Sequence, residues 1–279
     1  MRTKTSVWAR ALALVLTLVC VIGVLPFSAF AAEGKDTIKL KDFGMSGVSY
    51  HSEALGKCTI HQMYYDCGGT TTIGFCGEKG KGMGTSLKGQ TWEYQNEISD
   101  STVKMMMAYY YAHSTGTFTD AAIAAGVNTV WDAGYTWYMN AWVQAIVWRY
   151  KEGTLKNPVE ACAEELMYVW NSLAGKHYTS IEDKHEGLSF RDRAQYIMDL
   201  GKQGVWGDCS VKEYKFSGSG NVHHPANNVQ SVIIGELLPE RPQEQYTLEV
   251  KKVDASNPTK GLPGAKFHME STTTSTTKS

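Results

Sequence analysis

The sequence has almost no net charge and no concentrated run of basic residues. Its 27 Lys and Arg residues nearly balance its 28 Asp and Glu residues. Nucleic-acid-binding domains usually carry clustered positive charge, so we expect no nucleic-acid partner. The chain is instead rich in Tyr, Trp and Gly, a composition typical of an extracellular globular domain with many strands and turns.

Long apolar runs are also missing, except at the N-terminus. There, basic residues precede a largely apolar run over residues 11–25, and the small-x-small sequence Ala29-Phe30-Ala31 follows. This order predicts a secretory signal peptide over residues 1–31. The run is short for a spanning helix and no stop-transfer pattern follows it, so we expect contact with a membrane only through this peptide.

An odd number of cysteines remains after the predicted cleavage: Cys58, Cys67, Cys76, Cys162 and Cys209. Cysteines outside the cell tend to pair. Cys58 and Cys67 are close enough in sequence to close a small loop, and Cys162 and Cys209 could form a long-range bond. This arithmetic leaves Cys76 as a single thiol. Four cysteines allow three pairings, and free buried thiols are the alternative.

The order of patterns along the chain predicts an α/β (α+β) fold. Residues 35–100 are typical of strands and turns, including a β-branched run that ends at Phe75-Cys76 and a glycine-rich loop over 77–89. Capping residues and apolar spacing predict helices over 103–112, 138–151, 159–173 and from a Ser189 cap to Leu200. Strands are predicted again over 212–216 and 230–238. We therefore expect a β-rich part that carries Cys76 and a helical part beside it.

Gln144 lies in the middle of the predicted helix over 138–151, among apolar neighbours. Trp148 follows four residues later, so it shares the same helical face. A cysteine thiolate can attack the carboxamide carbon of a glutamine, which releases ammonia and leaves a thioester. Such a bond lasts only where the protein holds both side chains together and excludes water. A large indole beside Gln144 would provide that shielding.

Two segments, Phe75-Cys76 and Val143-Gln144-x-x-Val147-Trp148, resemble the signature segments of the thioester domains, or TQxA domains, of Gram-positive surface adhesins. The resemblance covers residues 32–238. It departs from the TQxA name, because Val143 stands for Thr and Ile146 for Ala, but neither residue supplies a bonding atom. The fold that it implies has a β-rich subdomain and a helical subdomain tied together by one bond.

The resemblance also implies a specific chemistry. Cys76 and Gln144 would form an internal thioester that Phe75 and Trp148 shield. An amine, such as an accessible lysine of a host or surface protein, would attack Gln144 and become covalently bound. Each molecule would react once and need no cofactor, so the implied protein is a secreted adhesin module and not an enzyme. Its implied location is the cell surface or cell wall of a Gram-positive bacterium.

The C-terminal part resembles a different module. Residues 239–245 have the composition of a linker. Residues 246–269 resemble the opening of a Cna-B-type (SpaA-like) prealbumin domain, which is a β-sandwich. A Ser/Thr-rich tail follows, so the truncated module and its tail span residues 246–279. By this resemblance Lys252 would be an isopeptide lysine whose partner lies further on. The sequence contains no LPxTG-like sorting signal, so we expect cell-wall anchoring in a longer parent protein.

Three other functions are compatible with the same residues. A non-covalent adhesin or sugar-binding module could use exposed Trp and Tyr side chains. A secreted cysteine peptidase would need a histidine near Cys76, and the candidates are His51, His61, His113, His177 and His185. A zinc site could draw on Cys58, His61, Cys67, His223 and His224. Their spacing matches no standard ligand pattern, so we expect no metal.

Overall fold

The computed structural model describes residues 36–239, 253–254 and 257–261. Contacts divide the chain into two units, Met1–Glu240 and Arg241–Ser279. The first unit is a mixed α+β structure, as the order of sequence patterns predicts. The predicted signal peptide and Lys252 lie outside the described residues, and the predicted domain boundaries stay predictions.

The elements of the first unit run as strands, then mainly helices, then strands again. In chain order they are β1 (Thr37–Ser52), β2 (Gly56–Cys67), β3 (Thr70–Cys76), β4 (Thr91–Glu97), α1 (Ser101–Thr115), α2 (Asp120–Ala124), α3 (Ala133–Lys151), α4 (Pro158–Ala174), β5 (Lys184–His185), β6 (Leu188–Ser189), α5 (Phe190–Lys202), β7 (Cys209–Phe216) and β8 (Val232–Leu237). Sequence patterns predicted α1, α3, α4, α5, β3, β7 and β8, and these are confirmed with ends that shift by a few residues. The short helix α2 was not predicted.

Local contacts explain the helix ends. Asp100 Oδ1 accepts a hydrogen bond from the Val103 N–H at 2.9 Å and so caps α1. Helix α3 begins before the predicted residue because Asp132 Oδ1 caps it, accepting from the Tyr135 N–H at 2.7 Å. Gly201, expected just beyond α5, lies inside the helix, where a side chain would collide with Met105.

Six antiparallel strands form a closed barrel. Neighbouring strands follow the order β1-β2-β3-β8-β7-β4, and β4 pairs again with β1. The last two strands of the unit therefore insert between β3 and β4. At the end of β3, Phe75 and Cys76 pair with Ile233 and Val232 of β8. Cys76 consequently lies within the sheet and not at a free edge.

The helices pack on this sheet and on each other. Helix α1 contacts β7 and β8, α3 contacts β2 and β3, and α4 contacts β1. Large buried side chains such as Trp92, Trp142 and Tyr110 fill the core. This arrangement brings α3 against the strand that ends in Cys76. Within the described ranges, no helix is long and apolar enough to cross a lipid bilayer.

The second unit contains one described strand pair. Strands β9 (Val253–Asp254) and β10 (Asn257–Gly261) are antiparallel. Both strands lie inside residues 246–269, the segment that resembles the opening of a Cna-B-type domain, and the rest of that segment lies outside the described residues.

Candidate functional site

Cys76 and Gln144, 68 residues apart in sequence, meet in the structure. The Cys76 backbone N–H donates a hydrogen bond to Gln144 Oε1 at 2.6 Å, and Gln144 Nε2 donates one to the Cys76 carbonyl oxygen at 2.8 Å. Both residues are buried, with 1% of Cys76 and 0% of Gln144 exposed. The predicted pair is therefore brought together, with the carboxamide of one residue held by the backbone of the other.

The strand register explains this contact. Strands β2 and β3 pair as far as Met63 and Gly74, and β3 then pairs with β8 on its other side. In an antiparallel strand the N–H and C=O of one residue point to the same side. The backbone groups of Cys76 take Gln144 as their partner in place of a residue of β2. A buried polar group left unpaired would cost about 1–3 kcal/mol, so this contact also stabilises the fold.

Helix α3 places Trp148 one turn after Gln144. The indole is 2% exposed, and its Nε1 has no hydrogen-bond partner among the described residues. Because residues four apart share a helical face, Trp148 lies over the same side of the helix as Gln144. It is therefore in the position expected of a shielding side chain.

Phe75 lies on the other side of the strand. Its ring packs edge-on against Tyr110 of α1, with 5.5 Å between the ring centroids. Adjacent residues of a strand point to opposite faces. Phe75 therefore covers the helix side of β3, and any shielding that it gives the Cys76 thiol is indirect.

The Cys76 thiol is a neutral group in a dry environment. Burial raises the pKa of this thiol well above its usual range; the Gln230 side chain lowers it by hydrogen bonding, and the nearby Glu78 carboxylate raises it. A thiol of this kind lacks the thiolate character that a cysteine–histidine ion pair would give it.

Gln230 is a site residue that the sequence patterns did not single out. It lies two residues before β8 and is 3% exposed, and its carbonyl oxygen accepts a hydrogen bond from Trp92 Nε1 at 2.9 Å. Its side chain interacts with the Cys76 thiol, but its Oε1 has no partner among the described residues. A buried acceptor without a partner is uncommon. The available sequence signal was a polar residue directly before an apolar strand.

The turn after Cys76 is fixed to the start of β8. The Gly77 N–H donates to the Ser231 carbonyl oxygen at 2.9 Å, and the Ser231 N–H donates to the Glu78 carboxylate. A side chain at Gly77 would collide with the Ser231 side chain. Glycine at this position therefore permits the close approach that holds Cys76 beside Gln230.

A cavity of about 440 Å³ opens beside these residues. Gln230 and Trp148, which neighbour Cys76 and Gln144, form part of its wall, whereas Cys76 and Gln144 themselves are not among its lining residues. Other lining residues come from β2 and from the loops after β3 and before β8: Lys57, Cys58, His61, Lys79, Lys81 and His224.

The five cysteines among the described residues are all free, so neither of the two possible disulfides is present there. Cys58 and Cys67 lie in one strand, β2, which separates them by about 30 Å at the usual rise per residue, against a limit of about 7 Å between the Cα atoms of a disulfide. That predicted pairing is wrong. Cys162 in α4 and Cys209 in β7 are separate buried thiols. Burial raises the pKa of all four to about 12.

Of the histidines considered for a peptidase, His61 lines the cavity beside Cys76. Burial lowers the pKa of His61 below its usual value. His113 stacks on Trp131 at 4.6 Å between ring centroids, and His185 packs on Trp170 at 4.1 Å. These ring contacts make His113 and His185 part of the aromatic packing of the core.

His51 and His177 line a different cavity, which contains no cysteine. His224 fills the space beside Gly82 and Gly84 in the loop after β3. In the part of the chain that the structure describes, no group of three His, Cys, Asp or Glu side chains could hold a metal ion.

A second buried polar cluster lies on α3 close to Gln144. Glu165 of α4, which is fully buried, accepts hydrogen bonds from Arg149 Nη1 at 3.0 Å, from Ser52 Oγ at 3.3 Å and from the Tyr50 hydroxyl. Burial raises the pKa of Glu165, and the Tyr50 and Arg149 contacts lower it. This cluster joins α3, α4 and β1.

Comparisons of the chain with protein-family models, with curated proteins and with solved structures find no match. The functional hypothesis therefore depends on the sequence segments and on the geometry around Cys76 and Gln144.

Proposed function

We propose that this protein is the thioester module of a bacterial surface adhesin, in which Cys76 and Gln144 form a covalent bond that later captures an amine. The observation that carries the proposal is the pair of hydrogen bonds between the Gln144 carboxamide and the Cys76 backbone at a buried site. The resemblance of both segments to Gram-positive thioester domains supports the same function.

The first step is formation of the thioester. The Cys76 sulfur attacks the carboxamide carbon of Gln144, a C–S bond forms, the C–N bond breaks, and ammonia leaves with the thiol proton. The Cys76 N–H, 2.6 Å from Gln144 Oε1, is placed to stabilise negative charge on that oxygen as the carbon becomes tetrahedral. The Gln230 side chain, a hydrogen-bond partner of the thiol, stabilises charge that develops on sulfur.

The second step is capture. A target amine attacks the same carbon, a C–N bond forms, the C–S bond breaks, and one amine proton passes to the sulfur. Cys76 returns to a thiol, and the target stays bound to Gln144 through an amide. The reaction occurs once per molecule. The proposed target is an accessible lysine of a host or surface protein.

The finer architecture belongs to the same proposal. The closed sheet would be the β-rich part that carries Cys76, and helices α1 to α5 would be the helical part that carries Gln144. The thioester would tie the two parts together. The residues after 245 would open a truncated stalk module of a longer, wall-anchored protein.

Intact mass tests the proposal directly. The purified wild-type protein should be lighter than its sequence by one ammonia, about 17 Da, whereas Cys76→Ala should have its full sequence mass. Cys162→Ala, which removes another fully buried thiol, should keep the deficit. Methylamine should then add to the wild type and to Cys162→Ala but not to Cys76→Ala.

A non-covalent binding module is the second candidate, because Gln144 satisfies the Cys76 backbone without any covalent bond. In that case all three proteins would have their sequence masses and none would add methylamine. A wild-type mass about one water above the crosslinked value would instead identify a thioester that has hydrolysed.

A further inference from the structure

The cavity beside Cys76 has a lining with charge of one sign. Lys57, Lys79 and Lys81 line it, and no Asp or Glu does. Lys79 pairs with Glu152 and Lys81 pairs with Glu78, each at 3.0 Å, but neither carboxylate is part of the lining. Lys57 is exposed at the start of β2 and has no ion-pair partner among the described residues. Lys57 is therefore the main uncompensated charge of the cavity.

Two residues that line the same cavity, Gln230 and Trp148, each have a buried polar atom without a partner among the described residues. Gln230 Oε1 and Trp148 Nε1 belong to residues that are 3% and 2% exposed, and neither atom has a hydrogen-bond partner among the described residues. The first is an acceptor and the second a donor. Buried polar groups normally find partners, so these two atoms make the interior next to the cavity incompletely paired.

Resting on the proposed function, we infer that this cavity selects its target by charge, and that the preferred target is an amine accompanied by an anionic group. A lysine between acidic residues of a protein has this chemistry. The cationic lining repels an ammonium ion alone, and a neighbouring carboxylate offsets that repulsion. Lys57, which is exposed and lines the cavity, contacts the anionic group of the target.

The covalent step needs no further reactant. The nitrogen forms a bond to the Gln144 carbonyl carbon as the bond from that carbon to the Cys76 sulfur breaks. One N–H proton passes to the sulfur. The charged group on the target takes no part in the bond exchange, so it changes the rate through binding alone.

Three amines of equal length test the inference: 2-aminoethanesulfonate, ethanolamine and (2-aminoethyl)trimethylammonium. Intact mass gives the rate of adduct formation, expressed per concentration of unprotonated amine. The anionic amine should react about fivefold faster than the cationic one, with ethanolamine between them, and added salt should reduce the difference. A tripeptide with lysine between two glutamates should likewise react faster than one with lysine between two glutamines.

A charge reversal locates the effect. Lys57→Glu should abolish or reverse the order of the three amines. Lys215→Glu makes the same change of net charge at an exposed position of β7 outside the cavity, and it should leave the order intact. Both positions are exposed, so neither change disturbs the core.

The outcomes separate this inference from the proposed function. Equal rates for the three amines, with adducts still forming, would overturn the charge selection and leave the thioester in place. Equal shifts in Lys57→Glu and Lys215→Glu would refute the role of the cavity. Absence of both the ammonia deficit and any adduct would refute the proposed function, and the inference with it.

Discussion

Two buried polar clusters contain residues of α3, one around Gln144 and one around Arg149, and they differ in the groups that they bury. Both carboxylate oxygens of Glu165 have partners in the Arg149 cluster. Beside Gln144, the carboxamide pairs with the Cys76 backbone, and Gln230 Oε1 and Trp148 Nε1 have no partner among the described residues. Arg149 Nε likewise has no partner among the described residues, so the two clusters differ less in pairing than in the kind of groups that they bury.

The two clusters also differ in charge. The Arg149 cluster contains a buried ion pair. Removing either partner leaves the other charge buried and uncompensated, which is strongly destabilising. The Gln144 cluster contains neutral groups, so its members can be replaced with smaller losses. Substitutions in the Arg149 cluster should therefore change mainly the stability of the fold. Substitutions in the Gln144 cluster should have smaller effects on stability and should also change the reactions of the thioester.

Arg149→Leu should have the largest effect. It leaves the Glu165 carboxylate buried without its cation, which should lower the free energy of unfolding by about 3–5 kcal/mol in urea denaturation. Lys202→Leu removes an exposed ion pair with Asp199 and should cost at most about 1 kcal/mol. Similar losses in the two variants would mean that the Arg149 cluster does not hold the helices together.

Gln144→Leu should come second. The change leaves the Cys76 N–H and C=O without partners, which should cost about 2–3 kcal/mol. The comparison is with Gln195→Leu, which loses only a half-buried hydrogen bond to Asp199 and should change stability by about 1 kcal/mol or less. Urea denaturation of Cys76→Ala, which cannot form the thioester, supplies the reference free of any crosslink. A loss below that of Gln195→Leu would contradict the pairing seen at Cys76.

The contact between Cys76 and Gln144 could be predicted because each residue lies in a strong local pattern. A β-branched run marks the strand that ends in Cys76, and apolar residues surround Gln144 in a helix. Their chemistry then suggested the pairing. The expected Cys58–Cys67 disulfide failed for the opposite reason, since residues close in sequence are far apart in an extended strand.

Gln230 and the cavity could not be predicted in the same way. Gln230 and the cavity are brought to Cys76 because β8 pairs with β3. This pairing places Phe75 beside Ile233, although helices α1 to α5 lie between these two residues in the sequence. No local pattern near Gln230 encodes that neighbour. The charge of the cavity likewise depends on Lys57 and Lys81, which come from different segments.

Trp148→Phe should have the third largest effect, and on chemistry. The smaller ring should admit water and speed hydrolysis of the thioester about tenfold, which corresponds to about 1.4 kcal/mol. Stability should fall less than in a variant that also loses a hydrogen bond, because Trp148 Nε1 has no hydrogen-bond partner among the described residues and only packing is lost. Trp142→Phe on the same helix is the matched control, since its Nε1 donates to the Cys162 carbonyl oxygen at 2.8 Å. It should lower stability and leave the thioester lifetime unchanged, and the reverse result would refute the shielding role.

Gln230→Leu should have the smallest effect. The direction in which it changes stability distinguishes the two clusters. Capture of methylamine should slow about threefold, because the sulfur loses a hydrogen-bonding group. Stability should stay within about 0.5 kcal/mol of the wild type or rise, because leucine removes a buried acceptor that has no partner among the described residues. Gln203→Leu, at an exposed position after α5, should alter neither quantity. If Gln230→Leu lowers stability and leaves capture unchanged, Gln230 has a structural role like that of the Arg149 cluster. If capture slows without a loss of stability, Gln230 serves the chemistry at a cost to the stability of the fold.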